Sequence, residues 1–184
     1  MKKLSVLLFV CMLPALSSGC GYSTHSLAYS KSTTIYIRPF ENKVDLNIGT
    51  DLSDKNPYRL YRPGMEVKIT NAVINRFQID GYLKVVSRED DADLVLNGSL
   101  INYEKQPLRY DQLSENVEEY RANIIVDISL EDVMNSKTVW AEKGFVGYKE
   151  YALTGPKAQS EESAVNEAVE DLARRVVERT VEDW

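Results

Sequence analysis

Histidine is almost missing from this chain of 184 residues, which has only His25. That removes most metal centres and the commonest general base together. Cysteine is scarce, with Cys11 and Cys20 alone, so no disulfide framework holds the fold. Basic residues are the minority: 22 Lys and Arg face 28 Asp and Glu, for a net charge of −6. Nucleic-acid affinity rests on neutralising phosphates, so that class of partner is excluded. Long apolar runs are confined to the first twenty residues, which argues against a multi-span membrane protein. A Ser, His and Asp set cannot be assembled around one His, and no P-loop, GxGxxG or H-E-x-x-H occurs. A carboxylate pair could in principle serve a glycosidase. Glu89, Asp90 and Asp91, however, stand beside Arg88 in a turn-like stretch that implies no pocket. The expectation is a chain without catalytic residues, metal or cofactor.

What is present suits one domain with a real core: 43% apolar and 27% charged residues. Lys2 and Lys3 precede an apolar run from Leu4 to Leu16, interrupted by Pro14 and followed by Ser17, Ser18 and Gly19. As a helix the run reaches roughly 20 Å, short of the ~30 Å hydrocarbon core. It reads as a signal peptide over residues 1–19. Leu16-Ser17-Ser18-Gly19-Cys20 resembles the bacterial lipobox, although Ser17 stands where that motif usually has Leu. An ordinary signal peptide cut near the same place is the alternative. The resemblance implies acylation of Cys20, palmitate included, and this would account for a lone thiol in an oxidising compartment. Several acyl chains at ~0.8 kcal/mol per buried CH₂ anchor stably where one does not. Gly21, rather than Asp, after the Cys points by the same resemblance to the outer membrane. Without the two signal-peptide lysines, the mature chain is more acidic still.

Residues 20–32 are rich in Ser, Tyr and Gly without apolar periodicity and read as a lipidated tether, with His25 as a solvated side chain. Residues 33–184 read as a single domain. Thr33 to Arg38 alternates as a strand that Pro39 ends. Glu41 to Arg62 reads as a long polar loop, usually functional when it occurs in a compact domain. Gly64 to Asp80 has the three- and four-residue spacing of a helix, with Gly81 as its stop. Tyr82 to Ser87, Ala92 to Tyr103, Glu119 to Asp132 and Thr138 to Tyr148 read as strands, and Glu104 to Val117 as a polar loop holding Pro107, Arg109 and Tyr110. Ser160 can cap a last helix whose buried row includes Val165, Leu172 and Val176. This order predicts a βαβ crossover followed by an antiparallel meander. The fold class is α+β: a two-layer sandwich with two helices on one face of a mixed, mostly antiparallel four- to five-stranded sheet. The helix-free face would carry Tyr36, Arg121 and Asn123. Its tyrosines would suit an interface, an ordinary wet face being the alternative.

Cys20-Gly21-Tyr22 followed by Ile35-Tyr36-Ile37-Arg38-Pro39-Phe40-Glu41-Asn42 resembles the opening signature of the LptE family of lipopolysaccharide-assembly lipoproteins. Ala92-Asp93-Leu94-Val95-Leu96-Asn97-Gly98, Glu119-Tyr120-Arg121, Val139-Trp140 and the helix through Asp171-Leu172-Ala173 towards Trp184 are similar to the same family. Each motif is short; their order and spacing carry the resemblance. It implies a plug inside the LptD β-barrel of the outer membrane that assists barrel assembly and the delivery of lipopolysaccharide. It also implies a domain on the periplasmic side or in the barrel lumen. The competing class is a lipoprotein activator of a peptidoglycan synthase of the LpoB kind, which would need a longer reach than residues 21–32 give.

Lipid A carries phosphates, so an acidic domain must meet it through a local cationic patch, effective within a Debye length of ~8 Å. Meander geometry predicts that Lys105, Arg109 and Lys157 converge at one end of the sheet. In the LptE resemblance the basic residues of these two loops touch lipopolysaccharide, Arg109 and Lys157 being the positions that match.

Overall fold

A computed structural model describes residues 33–44, 62–111 and 116–181. The signal peptide, Cys20, the tether, residues 45–61 of the long loop and Trp184 lie outside the described residues.

Strand β1 (Thr34–Ile37) turns Ile35 and Ile37 into the core. Its start is fastened by the Asp93 carboxylate, which accepts from the backbone N–H groups of Thr33 at 2.8 Å and Thr34 at 3.0 Å and from the Thr34 hydroxyl at 2.9 Å. Strand β2 (Glu41–Asn42) follows. Helix α1 (Met65–Asp80) starts after Gly64 and stops at Gly81, whose positive φ of 76° and N–H bond to the Phe77 carbonyl close it. Strand β3 (Lys84–Val85) and a 3₁₀ turn (Glu89–Asp91) lead to three long strands: β4 (Leu94–Tyr110), β5 (Val117–Asp132) and β6 (Lys137–Ala152). Helix α2 (Glu161–Val181) ends the described chain. The Ser160 hydroxyl accepts the Ser163 N–H at 3.2 Å, the cap expected from sequence.

The fold is α+β. The sheet has six strands in the order β3-β1-β4-β5-β6, with β2 pairing β4. The two-residue β2, at the start of the stretch expected to be a loop, takes the number past the four or five expected. Both helices pack into one core with one sheet face. Ile69, Val73 and Phe77 of α1 and Val165, Leu172 and Val176 of α2 join Ile124, Val126 and Ile128 of β5 in that core. Gly147 of β6 lies so close to α2 that a Cβ there would stand 2.6 Å from the Leu172 Cα. Absence of a side chain at that position sets how near the helix sits to the sheet.

The expected parallel pair of β1 and β3 across α1 and the antiparallel meander of β4, β5 and β6 are both present, and the structure adds which strands flank β1. β1 lies between β3 and β4 and is parallel to both, with Ile35 beside Val85 on one side and Leu94 on the other. Residues 86–93 therefore cross β1 on the helix-free side, where Arg38 bonds to Glu89. That crossing accounts for Val95, which points away from the helices and is still buried. One expectation about strands is corrected, over residues 104–117. β4 continues to Tyr110 and β5 starts at Val117, so Lys105 and Arg109 stand on a strand, not in a loop. Pairing runs through Lys105↔Ala122 and Arg109↔Glu119. Pro107 is tolerated because, among the described residues, β4 has no second neighbour by then: β2 reaches only Leu100. A proline on such an edge, beside the register shift between Pro107 and Arg109, removes no needed ladder bond.

Candidate functional site

The β4–β5–β6 ribbon outruns its helical cover, and the cationic residues singled out above lie where the cover ends. Lys105 lies at the boundary. Its neighbour Ala122 faces the helices, and its Nζ donates to Glu161 Oε2 at 2.9 Å and sits 4.3 Å from the centre of the Tyr120 ring. Glu161 opens α2 and is shared: Arg62 pairs with it, and the Tyr103 hydroxyl donates to it at 3.1 Å. Burial works to raise the Glu161 carboxyl, but its bonds to Lys105 and Arg62 hold it below the usual carboxylate range. Burial likewise works against the Lys105 ammonium, and the Glu161 bond more than offsets it, so Lys105 is held above the ordinary lysine value. The Tyr103 phenol is pushed well up by burial and then by the Glu161 charge. This network ties the entry to α1, the entry to α2 and the middle of β4 together.

Arg109 lies further out. Its guanidinium is 3.4 Å from Glu118 and 3.6 Å from Glu119, and its side chain is 60% exposed. Lys157 lies in the β6–α2 connection, exposed and without an ion pair among the described residues. That connection is pinned to the sheet end: the Gln159 N–H reaches the Ala152 carbonyl at 3.0 Å, and the Leu153 N–H reaches the Glu118 carbonyl at 2.9 Å. Since Glu119 pairs with both Arg109 and Ala152, Arg109 and Lys157 belong to the same end of the sheet. Exposed Leu108, Tyr110 and Leu153 accompany them. Lys105 is set back from this pair, on the helix side and engaged with Glu161. The end therefore offers apolar surface interleaved with two outward cations, one partly countered and one free of ion pairs among the described residues. That chemistry suits a phosphorylated amphiphile: Arg gives paired donors to phosphate, and Lys acts as a point charge.

Sequence reasoning missed a second feature. A depression of about 390 Å³ lies on the helix-free face, lined by Arg38, Asn97, Ser99, Asp127, Ser129 and Lys143 among others. Arg38 is held there by Glu89 and by Asn97 Oδ1 at 2.6 Å. Its lining mixes both charge signs. The only sequence signal was a run of small polar residues at alternate positions. Of the expected helix-free residues, Arg121 pairs with Glu150 and stacks 5.0 Å from the Tyr148 ring, whereas Asn123 is buried. Among the described residues no three His, Cys, Asp or Glu gather as a metal site, and no helix is long and apolar enough to cross a membrane.

A family model described as LptE, lipopolysaccharide-assembly, matches residues 32–180. The chain belongs to the LptE family. The match spans every described strand and both helices bar the last helical residue. No curated protein sequence matches the chain. Among solved structures, the rare lipoprotein B of Shewanella oneidensis is similar at 17% identity, over 80% of this chain and 92% of that one, with a TM-score of 0.46. A protein from Xanthomonas campestris is similar at 13% identity, over 82% of this chain and 84% of that one, with a TM-score of 0.51. The Xanthomonas likeness concerns the fold alone. The LptE family is one of lipoproteins in lipopolysaccharide assembly, and the sheet end just described belongs to the matched region.

Proposed function

We propose that this LptE-family chain is an outer-membrane lipoprotein, acylated at Cys20, that seats as a plug in an LptD-type β-barrel. In that place it assists barrel assembly and the delivery of lipopolysaccharide to the cell surface. The family match over residues 32–180 carries this reading. The bare sheet end supports the lipid contact, with Arg109 and Lys157 meeting lipid A phosphates and Lys105 behind them. The domain is acidic overall, so the attraction is local and salt-sensitive. Glu118 and Glu119 give up Arg109 readily, because an exposed pair at this distance is worth at most about 1 kcal/mol.

The test is the double substitution Arg109→Asp with Lys157→Asp in the lipidated chain. Lipopolysaccharide binding should fall, and the defect should depend on salt, while folding and barrel association persist. Unchanged binding in a folded double variant rules the patch out. Cys20→Ala should release the protein from the membrane; an unmodified mature N-terminus in the wild type, seen by mass spectrometry, would overturn the anchor. Co-purification with a peptidoglycan synthase instead of a large barrel would replace the whole reading.

A further inference from the structure

Most of the exposed large apolar side chains among the described residues gather at the two ends of the sheet. Leu108, Tyr110 and Leu153 belong to the bare end. At the opposite end stand Met134, 84% exposed, Ile79, 77%, Tyr82, 63%, and Val133, 44%. Hydrogen bonds gather this second end around the point where the chain enters the domain. The Thr33 N–H donates to Asp93 Oδ2 at 2.8 Å, and the Thr33 carbonyl accepts the N–H of Lys84, two residues past Tyr82, at 2.9 Å. On the other side the Val133 N–H donates to the Asp93 carbonyl at 3.0 Å. Val133 and Met134 open the β5–β6 turn, which the Ser136 N–H closes onto the Val133 carbonyl at 3.3 Å. Turns of this kind are ordinarily built from Asn, Asp, Ser and Gly. Here Asn135 is engaged from within: its N–H and its side-chain amide both donate to the Asp132 carboxylate, at 3.0 and 2.8 Å. Met134 is left at the outermost point of the turn with nothing apolar to cover it.

We propose that this end rests on the lipid headgroup layer of the leaflet that holds the acyl chains of Cys20. The proposal rests on the anchor given under Proposed function and adds which surface the anchor brings to the membrane. Residues 21–32 span at most ~40 Å. They join the domain at Thr33, with Tyr82 on one side and Met134 on the other. The bare end lies a full length of β4 further on, seventeen residues and so roughly 55 Å away. Of the two apolar ends, the anchor holds this one near the leaflet. The anchor also makes the contact intramolecular, so a high effective concentration lets a small buried area suffice. A second copy has no such help, and four side chains fall short of the roughly 800 Å² per partner of a stable dimer. Tyr82 suits the headgroup level, where a ring meets apolar surroundings and its hydroxyl meets water. Lys84 and Lys137 flank the apolar group, exposed and without an ion pair among the described residues. The Asp93 and Asp132 carboxylates are taken up by Thr33, Thr34 and Asn135. Both charge signs are present, which matches a zwitterionic headgroup with its own phosphate and ammonium.

The experiment uses the full lipidated chain in vesicles of phosphatidylethanolamine and phosphatidylcholine. An environment-sensitive fluorophore is attached through Met134→Cys, Tyr82→Cys or, as the control, Leu108→Cys, and a spin-labelled lipid is the quencher. The expected result is blue-shifted, lipid-quenched emission from positions 134 and 82 and neither effect from position 108. Ile79→Asp with Met134→Asp changes only the two most exposed side chains of this end. The pair should abolish quenching at position 82 while leaving the thermal midpoint unchanged. Equal quenching at position 108, or a double variant that keeps the signal at position 82, would overturn the proposal. So would a blue shift that rises with protein density and ignores the lipid quencher, the behaviour of a second copy. In cells, a photo-crosslinking residue at Met134 should capture lipid; capture of a β-barrel protein in its place would overturn the proposal as well. Mass spectrometry of the vesicle samples separates the two readings. If Cys20 carries no acyl chain, the anchor fails first and this proposal with it. If Cys20 is acylated and positions 134 and 82 stay unquenched, only this proposal fails.

Discussion

The covered half of the β4–β5–β6 ribbon and its bare end are the same three strands in different surroundings. From Leu94 to Tyr103 on β4 and from Ala122 to Leu130 on β5, the residues facing the helices are almost fully buried. Beyond Lys105 and Tyr120 the same strands carry exposed Leu108, Arg109 and Tyr110, with Glu118 and Glu119 half-buried opposite. Backbone pairing runs on past the change as far as Tyr110 and Val117, with register shifts beyond Pro107. Ladder bonds give the bare end its shape, while buried area gives the covered half its stability. The Lys105–Glu161–Arg62 network marks the boundary.

The largest effects should come from the covered half. Phe77→Ala should cost about 3–5 kcal/mol and Leu172→Ala about 2–5 kcal/mol, read by denaturant unfolding, with lipid contacts retained in the folded fraction. Gly147→Val is expected to cost about 1–3 kcal/mol, because its Cβ meets the α2 backbone, which must move. A neutral result there would mean that the helix is more loosely seated than the structure shows. The boundary should respond to pH. Glu161 has a folded value below its ordinary 4.5, so its contribution is fully present above 4.5 and is lost as pH falls through the lowered value. Glu161→Gln should therefore flatten the acid limb of thermal stability against pH; an unaltered limb would remove Glu161 from the account. Smallest of all should be Arg109→Ala, within ~0.5 kcal/mol in stability, with its effect confined to lipopolysaccharide binding. A large stability loss there would erase the distinction between the two halves.

The fold was legible where one face is buried and the other wet. The alternation of Tyr120, Ala122, Ile124, Val126 and Ile128 shows β5 directly, and the spacing of Val165, Leu172 and Val176 shows α2. The extension of β4 was not legible, because residues 104–110 leave the helical cover and no apolar face is left to alternate. The place of β1 between β3 and β4 was hidden as well, since a four-residue strand carries no signal for which neighbour it takes. At the candidate site, residue type pointed to Lys105, Arg109 and Lys157 alike. Only the structure separates them, because the carboxylate that engages Lys105 is 56 residues away in sequence.

The fastening of β1 by Asp93 has a kinetic consequence. Thr34 and Asp93 are 59 residues apart, whereas β4, β5 and β6 pair with strands next to them in the chain. High sequence separation means a large loop-closure cost before any reward, so contact order places the β1 pairing late. The first strand of the sheet to leave the ribosome is then the last to settle. Until it does, Leu94 and Leu96 present an unpaired apolar edge on β4, open to pairing with another chain. Pulsed hydrogen exchange during refolding should protect β4–β5 amides before those bonded across β1 and β4; simultaneous protection would contradict this order.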